Sequence, residues 1–200
     1  MKEIAEYCYS QGMGCHIDCN YSSFLLNFDE INFDQEYDAH LETQGVTSIG
    51  VSWNKYGLGF SGAAVLLYKT RLLRKMQYYA YSNWNGGMYV TSNLAGSRYS
   101  SAIAATWTKM LATGKNNYIT KANKIITATS QLRIKLNQLK ENIEIITPNS
   151  ASILAFRLKE GDSYNLADFL RSKDYNVVNT INPPAISITI TEGKLKSHRR

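Results

Sequence analysis

Three short segments constrain the fold more than any other feature of the chain. Cys15–Asp18, Val46–Ser52 and residues 62–68 are each bounded by glycines or polar turns, and the last two show no regular apolar–polar alternation. A strand with one wet face alternates apolar and polar residues, whereas a strand covered by helices on both faces does not. The expected fold class is therefore α/β, with these strands forming part of a covered sheet.

The surrounding segments fit that frame. Residues 3–11 read as a helix with Ile4, Ala5 and Cys8 on one face, halted at Gly12 and Gly14. A polar loop rich in Asp, Asn and Glu occupies residues 27–42, and a turn at residues 54–59 follows the second strand. Helix dominates residues 100–139, where Ile125, Leu132, Leu136 and Leu139 recur at helical spacing as a packing stripe. From residue 143 the texture changes. Residues 143–147, 151–158 and 185–191 read as strands around a helix at Ser163–Ser172. Ile186, Ile188 and Ile190 alternate with Ser187, Thr189 and Thr191, which gives the last strand one buried and one exposed or interfacial face. The expected organisation is a large domain with connecting helices over residues 1–140 and a small α+β domain over residues 141–200.

Composition excludes several classes. At 200 residues and 44% hydrophobic content the chain can bury a core, but no apolar run approaches the ~20 residues of a membrane-spanning helix. The start of the sequence carries no apolar signal region, so a soluble, unsecreted chain is expected. The basic residues behind the net charge of +6 include a set scattered at helical spacing through residues 109–140 and a terminal cluster at residues 194–200. This distribution makes no stripe for nucleic acid, and an anionic small molecule or a lipid surface suits the charge as well. Cys8, Cys15 and Cys19 cannot all pair, so reduced thiols are expected. Cys15, His16 and Cys19 match no standard zinc spacing and lack a fourth ligand, so no metal is expected. His40 and His198 sit in polar and basic surroundings typical of exposed, non-catalytic histidines.

Two residues carry the chemical interest. Lys55 alone is a turn lysine after a buried strand, and Asp18 alone is a strand-end aspartate of the kind that caps a loop. Together they mean more, because ligands of open α/β sheets bind beyond the carboxyl ends of strands, and both residues fall at such ends. An amine and a carboxylate placed there are able to share one ligand.

The motifs around them are specific. His16-Ile17-Asp18-Cys19 resembles the His-Val-Asp-Ala motif of fold-type I pyridoxal-phosphate (PLP) decarboxylases and lyases. Val46-Thr47-Ser48-Ile49, running on to Asn54-Lys55-Tyr56-Gly57, is similar to that group's Val-Thr-Ser-Ile-Ser and His-Lys-Tyr-Gly segments. Trp84, Gly86-Gly87, Tyr89, Ala95-Gly96-Ser97-Arg98 and Pro183-Pro184 extend the likeness over about residues 3–191, and they resemble the sphingosine-1-phosphate lyase family more closely than glutamate decarboxylases. The resemblance implies part of a fold-type I large domain followed by the small C-terminal domain. It implies Lys55 as the catalytic Schiff-base lysine, Asp18 on the pyridine nitrogen, and His16, Ser52 and Asn54 beside them at the cofactor.

The implied reaction is retro-aldol cleavage of a phosphorylated long-chain base to a fatty aldehyde and phosphoethanolamine, with amino-acid decarboxylation, or a catalytically inactive remnant of the lyase, as alternatives. The chain departs from the family at Asn54, where a histidine is usual, and at Ser61, where a second lysine helps to hold the substrate phosphate. Ser22-Ser23 replace a glycine pair, and Asn20 stands at a small-residue position. The family's upstream half, with its glycine-rich phosphate turn, has no counterpart, so an unpaired sheet edge is expected. The family further implies a homodimer, or a chain supplying that half, and an endoplasmic-reticulum location against a cytoplasmic one.

Overall fold

The computed structural model describes residues 1–200 except 27, 29, 32, 34–39 and 194–200. Much of the loop at 27–42 and the whole basic tail, with His198, thus lie outside the described residues. The chain divides into two compact units, Met1–Lys115 and Asn116–Arg200. That division falls within the helical stretch, ahead of the change of texture near residue 141.

The first unit contains α1 (Lys2–Ser10), β1 (Cys15–Asp18), α2 (Ser23–Leu26), β2 (Val46–Ser52), β3 (Ala64–Tyr68), α3 (Arg71–Lys75), β4 (Tyr79–Trp84), β5 (Gly87–Thr91) and α4 (Ser100–Thr113). Its main sheet has the order β1-β2-β3, with β1 parallel and β3 antiparallel to β2. The register slips by one residue between Cys15 and His16, so Val46 and Ile49, three apart, both turn to the core. Ala5, Cys15, Ile17, Cys19, Val46, Ile49 and Val51 form that core, with Cys8 and Phe24 packed on it. α1 crosses close to the entry of β2: a Cβ on Gly45 would lie 1.9 Å from the Ala5 carbonyl oxygen, and Gly45 also has φ +91. Ala5 and Cys8 face the core as expected, whereas Ile4 is 58% exposed, because the narrow crossing leaves room for one helical edge.

The expectation of strands covered on both faces holds for only one face among the described residues. Opposite the core, Leu66 of the edge strand β3 is 46% exposed and α4 meets that side across an open cavity, while Leu67, on the core side with Ile49, is still 42% exposed at the sheet edge. β4 and β5 form a separate two-stranded hairpin that the pattern reading did not assign. Trp84 pairs with Gly87, so Asn85-Gly86 is a two-residue turn, the strongest short hairpin signal a sequence carries.

The second unit contains α5 (Lys115–Asn137), β6 (Ile143–Ile145), β7 (Ile153–Leu158), α6 (Ser163–Ser172), β8 (Val178–Ile181) and β9 (Pro184–Thr189). Its antiparallel sheet has the order β6-β7-β9-β8. β8 is a strand that the sequence reading missed, since Val-Asn-Thr-Ile is short and polar in its middle. Ile143, Phe156, Ala167, Val177 and Ile186 form the core, with Ile188 against it, so the alternation read in the last strand does point its isoleucines inward. The buried face of α5 is Tyr118, Ala122, Ile125, Ile126 and Thr129. Leu139 lies beyond the helix end and is 54% exposed, which removes it from the expected stripe. Asp162 caps α6 by accepting from the Tyr164 N–H at 2.8 Å.

All three cysteines are free. Burial, reinforced by the neighbouring Cys8 thiol, pushes the Cys15 thiol up. Burial also raises Cys19, outweighing a hydrogen bond with Ser22. In the unfolded chain these thiols ionise from about pH 8.5, before their folded counterparts. Their contribution to stability is thus intact below about pH 8.5 and is lost as pH rises toward the folded values. Urea midpoints should decline over that range, and Cys19→Ala should flatten the decline; an identical slope in the variant would contradict the burial effect. Ile186, fully buried, should cost about 2–5 kcal/mol on Ile186→Ala, against roughly 0.5 kcal/mol or less for the exposed Ile181→Ala, both read from denaturant unfolding.

Candidate functional site

The site begins where β1 and β2 end. Asp18 pairs with Gly50, and the Cys19 N–H donates to the Gly50 carbonyl at 2.9 Å, carrying the parallel ladder one residue further. β2 runs on to Ser52 and then turns through residues 53–59, which hold Lys55. Side-chain alternation sends Cys15 and Ile17 into the core and leaves His16 and Asp18 exposed. The same alternation separates Cys15 and Cys19 from His16, so the three do not converge on one ion.

Both loops are tightly built. The N–H groups of Ser22 and Ser23 donate to the Cys19 carbonyl at 3.2 and 3.0 Å, folding the chain back immediately after Asp18. Asp18 Oδ1 accepts from the Asn20 N–H at 2.9 Å, an Asx-type turn that leaves its other oxygen without a protein donor among the described residues. In the second loop the Gly59 N–H donates to the Trp53 carbonyl at 2.7 Å, and the Trp53 ring packs on Phe24 at 4.7 Å. A Cβ on Gly57 would lie 2.7 Å from the Phe24 ring and 2.8 Å from the Trp53 carbonyl oxygen, so only glycine fits there.

The polar side chains pair locally. His16 Nδ1 and Ser48 Oγ are 2.8 Å apart across the two strands. Ser52 Oγ donates to Asn54 Oδ1 at 2.6 Å, which turns the asparagine's amide nitrogen into its remaining donor. The Lys55 ammonium sits 5.0 Å from the centroid of the Tyr21 ring, and Tyr21 meets Tyr56 edge-on at 6.4 Å. That Tyr21–Lys55 contact carries no sequence signal, because 34 positions and a whole strand separate the two residues. An open cavity of about 1080 Å³ lies over the exposed sheet face, walled by His16, Gly50, Leu66, Arg98, Thr106 and Trp107. Of the candidate residues His16 lines it; Asp18, Ser52, Asn54 and Lys55 do not.

Over 191 residues, 96% of this chain, the sequence is 32% identical to the sphingosine-1-phosphate lyase of Arabidopsis thaliana. It is also 30% identical over 190 residues to sphingosine-1-phosphate lyase 1 of Rattus norvegicus. The chain is a relative of the sphingosine-1-phosphate lyases. It spans about a third of these lyases' length, 35% and 33% respectively. A sphingosine-1-phosphate lyase of Burkholderia pseudomallei superposes with a TM-score of 0.83 at 23% identity, over 98% of this chain and 44% of that one. A glutamate decarboxylase of Lactobacillus brevis follows at a TM-score of 0.71 and 18% identity, over 97% and 46%. These likenesses bear out the α/β, fold-type I architecture. No family model matches the chain.

Gly57→Ala should shift the loop that carries Lys55 and cost about 1–3 kcal/mol, as overpacking does, in denaturant unfolding. An unchanged midpoint would show that Phe24 and Trp53 yield freely and that the loop is not held as described.

Proposed function

We propose that this chain contributes the Asp18 and Lys55 ends of a PLP-dependent carbon–carbon lyase acting on phosphorylated long-chain bases. The observation that carries the reading is the register of β1 and β2. Two adjacent parallel strands run side by side to their carboxyl ends, β1 ending on the carboxylate of Asp18 and β2 followed, three residues on, by the primary amine of Lys55. Because the chain spans about a third of its relatives' length, the activity is proposed for the assembly that includes the remaining polypeptide, whether joined to this chain or supplied by a different chain.

The donor set fits PLP at two of its three handles. Asp18 has a carboxylate oxygen without a protein donor, suited to a protonated pyridine nitrogen, and Lys55 offers the amine. For the third handle, the phosphate, the residues at hand would be Asn54, through its amide nitrogen, and Ser52, with no glycine-rich cradle among the described residues. When bound, PLP supplies an electron sink for charge that develops at the carbon bearing the substrate amine. The protein residues would do the rest: Asp18 would hold the ring nitrogen protonated, Lys55 would supply the amine that holds the cofactor and would later carry a proton, and His16, fixed by Ser48, would present a polar edge on the cavity side. In that cavity a long apolar tail would find Leu66 and Trp107.

The reading makes chemical predictions. Incubation with PLP followed by borohydride should leave a covalent pyridoxyl mass on the Lys55 peptide, and Lys55→Ala should abolish it. Asp18→Asn should weaken PLP binding about ten- to a hundredfold, the loss of one charge-assisted hydrogen bond, measured by fluorescence titration. In the complete assembly, fatty aldehyde as product supports the lyase and carbon dioxide supports a decarboxylase. No adduct on Lys55 at saturating PLP would leave this chain as the inactive remnant.

A further inference from the structure

Beside the Phe24–Trp53 packing, a second side chain joins the segments that follow β1 and β2. Tyr21 sits in the turn closed by the Ser22 and Ser23 N–H groups on the Cys19 carbonyl, three residues beyond Asp18. Its ring reaches the other loop twice, placing its face 5.0 Å from the Lys55 ammonium and meeting the ring of Tyr56 at 6.4 Å and 69°. Lys55 is exposed, so nothing apolar encloses its stem, and an untethered lysine samples many rotamers. An aromatic face within about 6 Å attracts an ammonium through its quadrupole.

We propose that Tyr21 is a positioning residue that holds the free Lys55 ammonium at the strand ends, between the Asp18 loop and the Lys55 loop. The inference rests on the reading of Lys55 as the cofactor lysine only for its consequence; the contact itself needs no cofactor. A lysine that is displaced from its ligand and must later return needs a resting place near it. The Tyr21 ring, anchored by Tyr56 and by the backbone of its own turn, provides one. The ring face supplies the interaction, so phenylalanine serves in its place and leucine does not.

The test is competitive acylation of the 200-residue chain without PLP, reading Lys55 against the exposed Lys140 by peptide mass spectrometry. Tyr21→Leu should raise the Lys55-to-Lys140 rate ratio about threefold, the scale of an exposed cation–π contact, and Tyr21→Phe should leave it within the error of wild type. In the unsubstituted chain the ε-methylene protons of Lys55 should show an upfield ring-current shift, which reads the contact even if a variant fails to fold. Equal ratios for wild type and Tyr21→Leu, an equal rise in Tyr21→Phe, or absence of the ring-current shift would each overturn the proposal. A normal Tyr21 response without any pyridoxyl adduct on Lys55 would instead sink the cofactor reading and leave the contact standing.

Discussion

The parallel pairing of β1 with β2 sets the position of everything at the site. Asp18 stands opposite Gly50, and the Cys19 N–H extends the ladder past it, so the aspartate cannot drift along the strand without breaking bonds to the neighbour. A one-residue slip would turn His16 and Asp18 into the core and put Ile17 outside. The apolar contacts of Cys15, Ile17, Val46, Ile49 and Val51 resist that slip, and α1 closes on them through Ala5 at the Gly45 crossing. Hydrophobic burial on one face thus fixes which polar groups appear on the other.

The two faces of that sheet differ sharply. One is packed, while the other carries half-exposed Leu66 and a cavity bordered by α4. Exposed apolar surface of this kind, with β3 as an open edge, is unusual in an isolated domain. It accords with a chain that matches its lyase relatives along a third of their length. The polar residues along the cavity side, with His16 bound to Ser48, keep part of this face wettable.

Much of the architecture was legible in the sequence because it rests on local pattern. Short runs bounded by glycines and turns mark β1, β2 and β3 within two residues, and the Ile186–Ile188 alternation marks the inward face of β9. The hairpin turn at Asn85-Gly86 is plain in the sequence, but Tyr79–Trp84 and Gly87–Thr91 lack the regular apolar–polar alternation by which flanking strands are recognised. Ile4 and Leu139 misled because helical spacing says which residues share a face and not how wide the neighbour is. For the site, Asp18 and Lys55 stood out only as a pair supported by motifs. Contacts that join distant positions, such as His16 with Ser48 and Lys55 with Tyr21, depend on strand register and loop closure, and no linear pattern records them.

The central claim is that Asp18 and Lys55 grip one PLP molecule from opposite ends. It is tested most directly by nitrogen-15 NMR of ring-labelled PLP fixed by borohydride onto the chain, with the attachment point mapped by mass spectrometry. The claim predicts attachment at Lys55 and a ring nitrogen that keeps its proton to higher pH than in Asp18→Asn. Attachment at another lysine, or a ring nitrogen indifferent to Asp18→Asn, would contradict it.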